Sequence, residues 1–349
     1  MSTAGTVHIV LPNDIDDPAT PSGGNRYDRR ICAGLAASGW LVREHAVRGG
    51  WPQPSIAERS GLAGVLAGLP DHAVVLVDGL VASAVPEVLV PQAGRLRLIV
   101  LVHMPLGGAG EREVMTAADA VVVTSGWTRR LLMELHGVPA VRIQVATPGV
   151  DPAPVAAGSD AGSRLLCVAA VTRTKGHDVL ASALAAVADL PWSCRCVGAL
   201  GRDPGFVDRL RRQLRGHGVA DRVCLVGPMS ADGLAEAYAA ADLLVLASRT
   251  ETYGMVVTEA LARGIPVVAT AVGGLPAALG LAPDGSLPGV LVEPNDPVEL
   301  AGALRRWLSD PGLRRRLRRS ARERRRTLTG WSVPTELVAR VVAGIPVAP

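Results

Sequence analysis

Short runs rich in Val, Ile, Leu and Ala alternate along the whole chain with segments whose apolar positions recur at helical spacing. Strands buried on both faces read as near-continuous apolar runs, so this alternation predicts repeated βα units around parallel sheets. In the first half it predicts strands at Thr6–Leu11, Leu41–Ala46, Ala73–Val77, Arg97–Val102, Ala120–Val123 and Arg142–Ala146. Helices are expected around Tyr27–Ser38, Ile56–Ala67, Gly110–Ala118 and Gly126–Leu135. A second series begins at Arg164 and predicts strands at Arg164–Ala170, Ser193–Val197, Val223–Val226, Leu243–Ala247, Val267–Thr270 and Gly289–Val292. Helical patterns such as Asp232–Ala240 and Met255–Arg263 separate them, and a last one covers Val333–Ala343.

Between the two series, Thr147–Ser163 concentrates Pro, Gly, Ala, Ser and Asp without either period, as an interdomain linker does. A length of 349 residues suits two domains of roughly 150 to 175 residues. The expected division is an N-terminal domain over residues 1–150, a linker over 151–163, a second domain over 164–330, and a C-terminal helix within 331–349 that returns to the first domain. The fold class is thus α/β, with two doubly wound, Rossmann-like domains whose strand ends would face one cleft.

Composition narrows the partners. Aromatic residues make up only 3% of the chain, too few for base-stacking platforms, so single-stranded nucleic acid is not an expected ligand. The formal net charge of +4 is local: Arg305–Arg326 holds eleven Arg against Asp310 and Glu323 and contributes +9, leaving −5 elsewhere. This run is read as a solvated helix in preference to a membrane-docking patch. Cys32, Cys167, Cys194, Cys196 and Cys224 are odd in number and lie mostly in apolar runs, as reduced thiols of a cytoplasmic protein would. Cys194 and Cys196 have no second pair in the sequence, so no metal site is expected there. No leader-like N-terminus and no apolar run of the ~18 residues a spanning helix needs are present.

Candidate chemistry concentrates in the second half. Glu251-Thr-Tyr-Gly-Met-Val-Val-Thr-Glu259 joins a strand end, a loop and a helix start. Gly254 at the loop–helix junction would let backbone N–H groups of the positive helix end approach a phosphate. Glu259, one turn into the helix, could reach a ribose, and Glu251 a sugar hydroxyl. Upstream, Arg173-Thr-Lys175-Gly176 sets two cations just beyond the first strand of that domain. Such a pair suits a diphosphate that gains charge as it leaves. Each feature alone has a bland alternative: a first-turn glutamate favoured by the helix dipole, and basic residues ahead of a helix.

With these residues in view, the chain resembles glycosyltransferase family 4, the retaining enzymes of the B-type fold. Family-like elements run through Ser22-Gly23-Gly24, Leu101-Val-His103, Val123-Thr-Ser125-Gly-Trp127, Thr147-Pro-Gly149-Val-Asp151, Arg173–Gly176, Glu251–Glu259 and Gly264-Ile-Pro-Val-Val-Ala269. The resemblance implies that Arg173 and Lys175 hold the leaving diphosphate, that Glu259 binds the ribose, and that Glu251 with the loop and amides from Tyr253 through Gly254 and Met255 to Val256 orients the donor sugar. It further implies that His103 meets that sugar from the first domain and that Gly23 and Gly24 let the first loop close. Arg173, Lys175, Glu251 and His103 form the implied catalytic set, no metal and no cofactor are called for, and the nucleotide-diphosphate sugar enters as substrate. Two positions depart from the family pattern, Thr252 where Gly is frequent and Pro276-Ala-Ala278 where a Glu is frequent.

Asp14-Ile-Asp16 imitates a metal-binding carboxylate pair but is read as a turn, and Gly108-Ala-Gly110-Glu-Arg-Glu113 lacks the third small residue of a dinucleotide fingerprint. A nucleotide-sugar epimerase or hydrolase on the same architecture, or a non-catalytic nucleotide-sugar binder, stays open as an alternative. The nucleobase, sugar and acceptor are not legible. The loops Asn13–Asn25, Val47–Ile56 and His103–Gly110 are the expected acceptor side.

Overall fold

The computed structural model describes residues 5–344; the ends of the expected first and last segments, 1–4 and 345–349, lie outside the described residues. Among the described residues, twelve strands form two six-stranded sheets. The first holds β1 (Thr6–Pro12), β2 (Leu41–Val47), β3 (Val74–Asp78), β4 (Arg97–Val102), β5 (Ala120–Val123) and β6 (Ile143–Val145) in the order β2-β1-β3-β4-β5-β6. The second holds β7 (Arg164–Val168), β8 (Ser193–Val197), β9 (Val223–Gly227), β10 (Leu243–Leu246), β11 (Val267–Thr270) and β12 (Gly289–Val292) in the order β12-β11-β10-β7-β8-β9. Every pairing in both sheets is parallel. Strand order therefore reverses between β1 and β3 in one sheet and between β7 and β10 in the other, and such switch points are where open sheets take ligands.

Contacts divide the chain into two units. One comprises the described residues up to Asp16, Gly23–Gly149 and the stretch from Trp331; the other comprises Asp17–Ser22 and Val150–Gly330. Asp17–Ser22 departs from the expected continuous first domain: Arg202 donates to the carbonyl of Thr20 (2.9 Å) and ties this piece to the second unit.

In the first unit, strand alternation sorts side chains to two covered faces. Val10, Val75, Val77, Val100 and Val102 join Leu62, Leu66, Val114 and Leu132 on one side. Ile9, Leu11, Leu76, Ile99 and Leu101 join Tyr27, Ile31, Leu35, Val338 and Val342 on the other. The last helix, Ser332–Ala343, lies against the helix Gly23–Ala37, with Gly34 so close to Thr335 that a Cβ there would sit 2.3 Å from its hydroxyl. Arg97 donates to the carbonyls of Val341 and Val342 (2.6 and 2.8 Å) and neutralises the negative end of that helix.

The arginine-rich stretch corrects the sequence expectation of one solvated helix. Asp310-Pro311 breaks it into Pro297–Ser309 and Pro311–Arg324, because Pro cannot continue the ladder while Asp310 caps the next helix through the amide of Leu313. Several guanidinium groups turn inward. Arg314, 9% exposed, donates to the carbonyls of Trp307 and Leu308. Arg318 pairs with buried Asp242, and Arg325 donates to the carbonyls of Ala262 and Ala153. Part of the local positive charge thus works as internal hydrogen-bond donors, while most of these arginines stay exposed. No helix among the described residues is long and apolar enough to cross a membrane.

Candidate active site

In the second unit the turn Arg173–Lys175 follows β7, and Gly176 carries it into the helix His177–Ala185. Gly176 has φ +66°, and a Cβ there would lie 1.9 Å from the carbonyl oxygen of Ala247, which follows β10. Only glycine lets the two strand ends at the switch point approach this closely. Lys175 Nζ consequently reaches Glu251 Oε1 at 2.5 Å, and the Ser248 hydroxyl donates to the same oxygen at 3.2 Å. Arg173 stands exposed beside them, and its guanidinium has no recorded partner among the described residues.

The loop carrying Glu251 is held by a second pair of glycines. A Cβ on Gly273 (φ +56°) would overlap the carbonyl oxygen of Glu251 at 1.7 Å, and one on Gly274 that of Thr252 at 2.2 Å. The Gly274 amide donates to the Glu251 carbonyl (3.0 Å). Gly254 then adopts φ +90° at the cap of the helix Met255–Ala262, with Met255 and Val256 half-buried at its first turn. The free N–H groups of that turn give it a positive end.

Two of the expected donor contacts are buried side chains. Tyr253 is only 9% exposed and packs its ring into the domain core, so its side chain does not line the site; burial pushes its phenol up to about 12. Glu259 is 6% exposed and accepts from the Tyr238 hydroxyl at 2.9 Å, so it is a held carboxylate and not a solvated one. Arg249 and Asp178 were missed by the sequence pattern. Arg249 forms a two-pronged pair with Asp178 (2.8 Å each) and donates to the carbonyl of Arg173 (2.6 Å), and its amide donates to the carbonyl of Thr174 (2.8 Å). It clamps the Arg173–Lys175 turn. The available signal was an Arg two residues ahead of Glu251 and an Asp in the first turn after Gly176.

In the first unit, Gly23 and Gly24 open the helix Gly23–Ala37, and a Cβ on Gly24 would stand 3.1 Å from the His103 ring. His103 Nε2 is 2.7 Å from Asp28 Oδ1 and 3.7 Å from Asp78 Oδ2. The loop beyond His103 is pinned by buried Glu111, which accepts from the amides of Leu106 (2.9 Å) and Gly107 (2.7 Å) and contacts His136 Nε2 at 2.7 Å. Asp16 pairs with Arg29, and Asp14 lies in the turn after β1.

Among the described residues, two groups have ligand atoms close enough together to hold a metal ion, Asp28–Asp78–His103 and Cys167–His177–Cys196. The second corrects the premise that Cys196 lacks partners: β7 and β8 pair Cys167 with Cys196, and His177 Nε2 lies 3.6 Å from Cys167. Contact with Cys196 and burial push the Cys167 thiol well above its ordinary value, so it packs as a neutral group. All five cysteines are free, four buried and Cys224 exposed.

Comparison with known proteins fits this geometry. The model of the glycosyl transferases group 1 family matches residues 159–324. The D-inositol 3-phosphate glycosyltransferase of Acidothermus cellulolyticus is 33% identical over 340 residues, covering 90% of this chain and 71% of that protein. In other relatives of that name the match spans 45% to 59% of their length. Among solved structures, sucrose-phosphate synthase from Thermosynechococcus elongatus aligns with a TM-score of 0.78 at 24% identity, over 97% of this chain and 98% of that one. Anabaena HepE in complex with UDP-glucose aligns with 0.77 at 18% identity, over 97% and 100%. Two parallel six-stranded sheets with a cation–glutamate cluster at a switch point, together with this kinship, identify the chain as a member of the group 1 glycosyl transferases, a family 4 glycosyltransferase of the B-type fold.

Proposed function

We propose that this enzyme is a retaining, metal-independent hexosyltransferase that moves a sugar from a nucleotide-diphosphate donor to an acceptor hydroxyl. One observation carries this most directly: Lys175, Glu251, exposed Arg173 and the helix start at Gly254 converge at the β7/β10 switch point. Cations and helix-end amides there suit a diphosphate. A UDP-glucose complex in a structural neighbour and an inositol-phosphate acceptor in a relative's name make a uridine-diphosphate hexose and a polyol phosphate the first candidates.

In the proposed step the bond from the sugar C1 to the phosphate oxygen breaks while the acceptor oxygen bonds to C1 from the same face. The acceptor proton passes to the departing phosphate, so no protein nucleophile is required. Arg173 and Lys175 stabilise the charge gathering on the leaving group. Glu251 holds Lys175 and is near enough to the same locus to orient a sugar hydroxyl, Glu259 binds the ribose, and His103 meets the sugar. The free thiols support a reducing, cytoplasmic setting.

Thermal shift over a panel of nucleotide sugars tests donor choice: a ligand at ~100 times its dissociation constant should add about 2.7 kcal/mol. Transfer should survive strong chelation, and proton NMR of an early product should report the donor's own anomeric configuration. Loss of activity restored by magnesium, or an inverted product, would overturn the mechanism.

A further inference from the structure

Apart from the donor cluster, the second unit gathers thiols and an imidazole in its interior. Cys167 on β7 and Cys196 on β8 are register partners, and Cys194 stands two residues before Cys196, so all three sulfurs project from one face of the sheet. The helix His177–Ala185 packs on that face, and His177 and Cys196 line one small cavity together with Leu180, Leu184 and Leu225. The close approach of Gly176 to the Ala247 carbonyl sets where this helix begins, and so where its first side chain falls.

His177 Nε2 lies 3.6 Å from Cys167 Sγ, and the ligand atoms of Cys167, His177 and Cys196 all fall within 4.8 Å of one another. Cys194 Sγ is 4.0 Å from Cys196 Sγ. Bonds of about 2.3 Å to sulfur and about 2.0 Å to nitrogen at tetrahedral angles hold two sulfurs about 3.8 Å apart and a sulfur and a nitrogen about 3.5 Å apart. The spacings here are of that size. Buried thiols often pack as small apolar groups, but an imidazole does not. His177 is 2% exposed, its Nδ1 is buried without a hydrogen-bond partner, and the one partner recorded for Nε2 among the described residues is a thiol, a weak one. A polar ring so poorly satisfied in a core costs free energy that an aliphatic side chain would avoid, and a metal bond at Nε2 would repay it.

We propose that Cys167, Cys196 and His177 form a structural zinc site, with Cys194 as the nearest recorded sulfur for the fourth position. Each sulfur that binds gives its proton to solvent as the zinc–sulfur bond forms, and no electron is transferred. Two thiolates and a neutral imidazole leave the bound ion without net charge, which suits its burial. The ion would tie β7 and β8 to the start of the helix that follows the Arg173–Lys175 turn, two residues from Lys175. Thiolate and imidazole ligands favour zinc over magnesium, and the site takes no part in the transfer step, so it stands whether or not the chain moves sugars. Enclosed in the core, the ion should stay bound while chelator strips metal from the surface of the folded protein.

The tag-free full chain, produced in cells supplied with zinc or with cobalt and then washed with chelator under reducing conditions, tests the site without any sugar. About one ion per chain should remain. Cobalt should show sulfur-to-metal charge transfer and the strong visible bands of a tetrahedral ion, and zinc-edge X-ray absorption should show a mixed shell of sulfur and nitrogen. Cys167→Ser and His177→Gln should each lower metal affinity by at least about 10-fold in competition with a chelating dye. Cys224→Ser, which removes the exposed thiol, should leave both the ion and its spectrum unchanged. A wild-type chain that retains neither metal, or a metal shell without sulfur, would overturn the proposal even if no variant folds. So would a folded Cys167→Ser protein whose metal affinity and sulfur band match the wild type.

Discussion

The two switch points are wound alike yet store charge in opposite ways. At β1/β3 in the first unit, two buried carboxylates meet a half-buried imidazole, and burial raises Asp78 while the neighbouring carboxylates, against burial, raise His103. At β7/β10 in the second unit, the cations are half-buried or exposed, and what is buried is the glycine-lined backbone that brings them together. A cation left exposed and without a side-chain partner among the described residues, as Arg173 is, stays available to an incoming anion. An imidazole hydrogen-bonded to a buried carboxylate, as His103 is to Asp28, is held in one orientation. The folding pattern is shared; burial of the polar groups at the strand ends separates their roles.

The largest effect should come from the exposed set. Arg173→Ala or Lys175→Ala should lower kcat by about 100- to 1,000-fold at saturating donor, roughly 2.7 to 4 kcal/mol. Glu259→Ala should instead mainly raise the donor KM, because a ribose contact changes little between ground and transition states. Steady-state kinetics on variants shown folded by circular dichroism decide this, and a Lys175→Ala enzyme with wild-type kcat would erase the contrast between the two units.

Next in size is the backbone approach. Gly176→Ala would put a Cβ 1.9 Å from the Ala247 carbonyl at a φ of +66°, so thermal unfolding should register a loss of at least about 2 kcal/mol together with weakened donor binding. Gly285→Ala, with φ +80° and nothing within 4 Å, carries only the left-handed cost and serves as the control. Equal losses in the two variants would mean that the close approach is not under tension.

A smaller effect distinguishes the first unit through pH. His103 has a folded value raised to about 9 above the ordinary 6.5, so its contribution to stability is fully present below about 6.5 and disappears as pH climbs through 9. Melting curves between these limits should lose on the order of 1–2 kcal/mol more in wild type than in His103→Gln. Parallel curves would show that the ring carries no extra proton in the folded state. Least of all, Gly24→Ala should cost under about 1 kcal/mol, since its Cβ would press the His103 ring at 3.1 Å and a shift of a few tenths of an ångström relieves it. The His103 NMR signals should nonetheless move.

Local chemistry made part of this legible in advance. Apolar runs set the two strand series because a strand covered on both faces cannot afford polar interruptions, and the strand positions largely agree with those observed. Arg173, Lys175 and Glu251 stood out because each lies within three residues of a glycine that marks a turn beyond a strand end. Strands from Arg142 and Arg164 end earlier than expected, at Val145 and Val168, where hydropathy persists but pairing stops.

What tertiary structure alone decided depends on residues far apart in the chain. Asp28, Asp78 and His103 come from one helix and two strand ends, and no periodicity relates them. Arg249 finds Asp178 across 71 residues, and Arg325 finds Ala153 across 172, so part of a largely exposed run of arginines is wired inward in a way no local pattern shows. Tyr253 sits inside a motif yet turns its ring into the core, because the side of the loop it occupies is fixed by Gly273 and Gly274 pressing on the backbone. Backbone preference and hydrophobic period act over a few residues and so are written in sequence. Charge compensation and close approach are settled only when the sheets bring distant strand ends together.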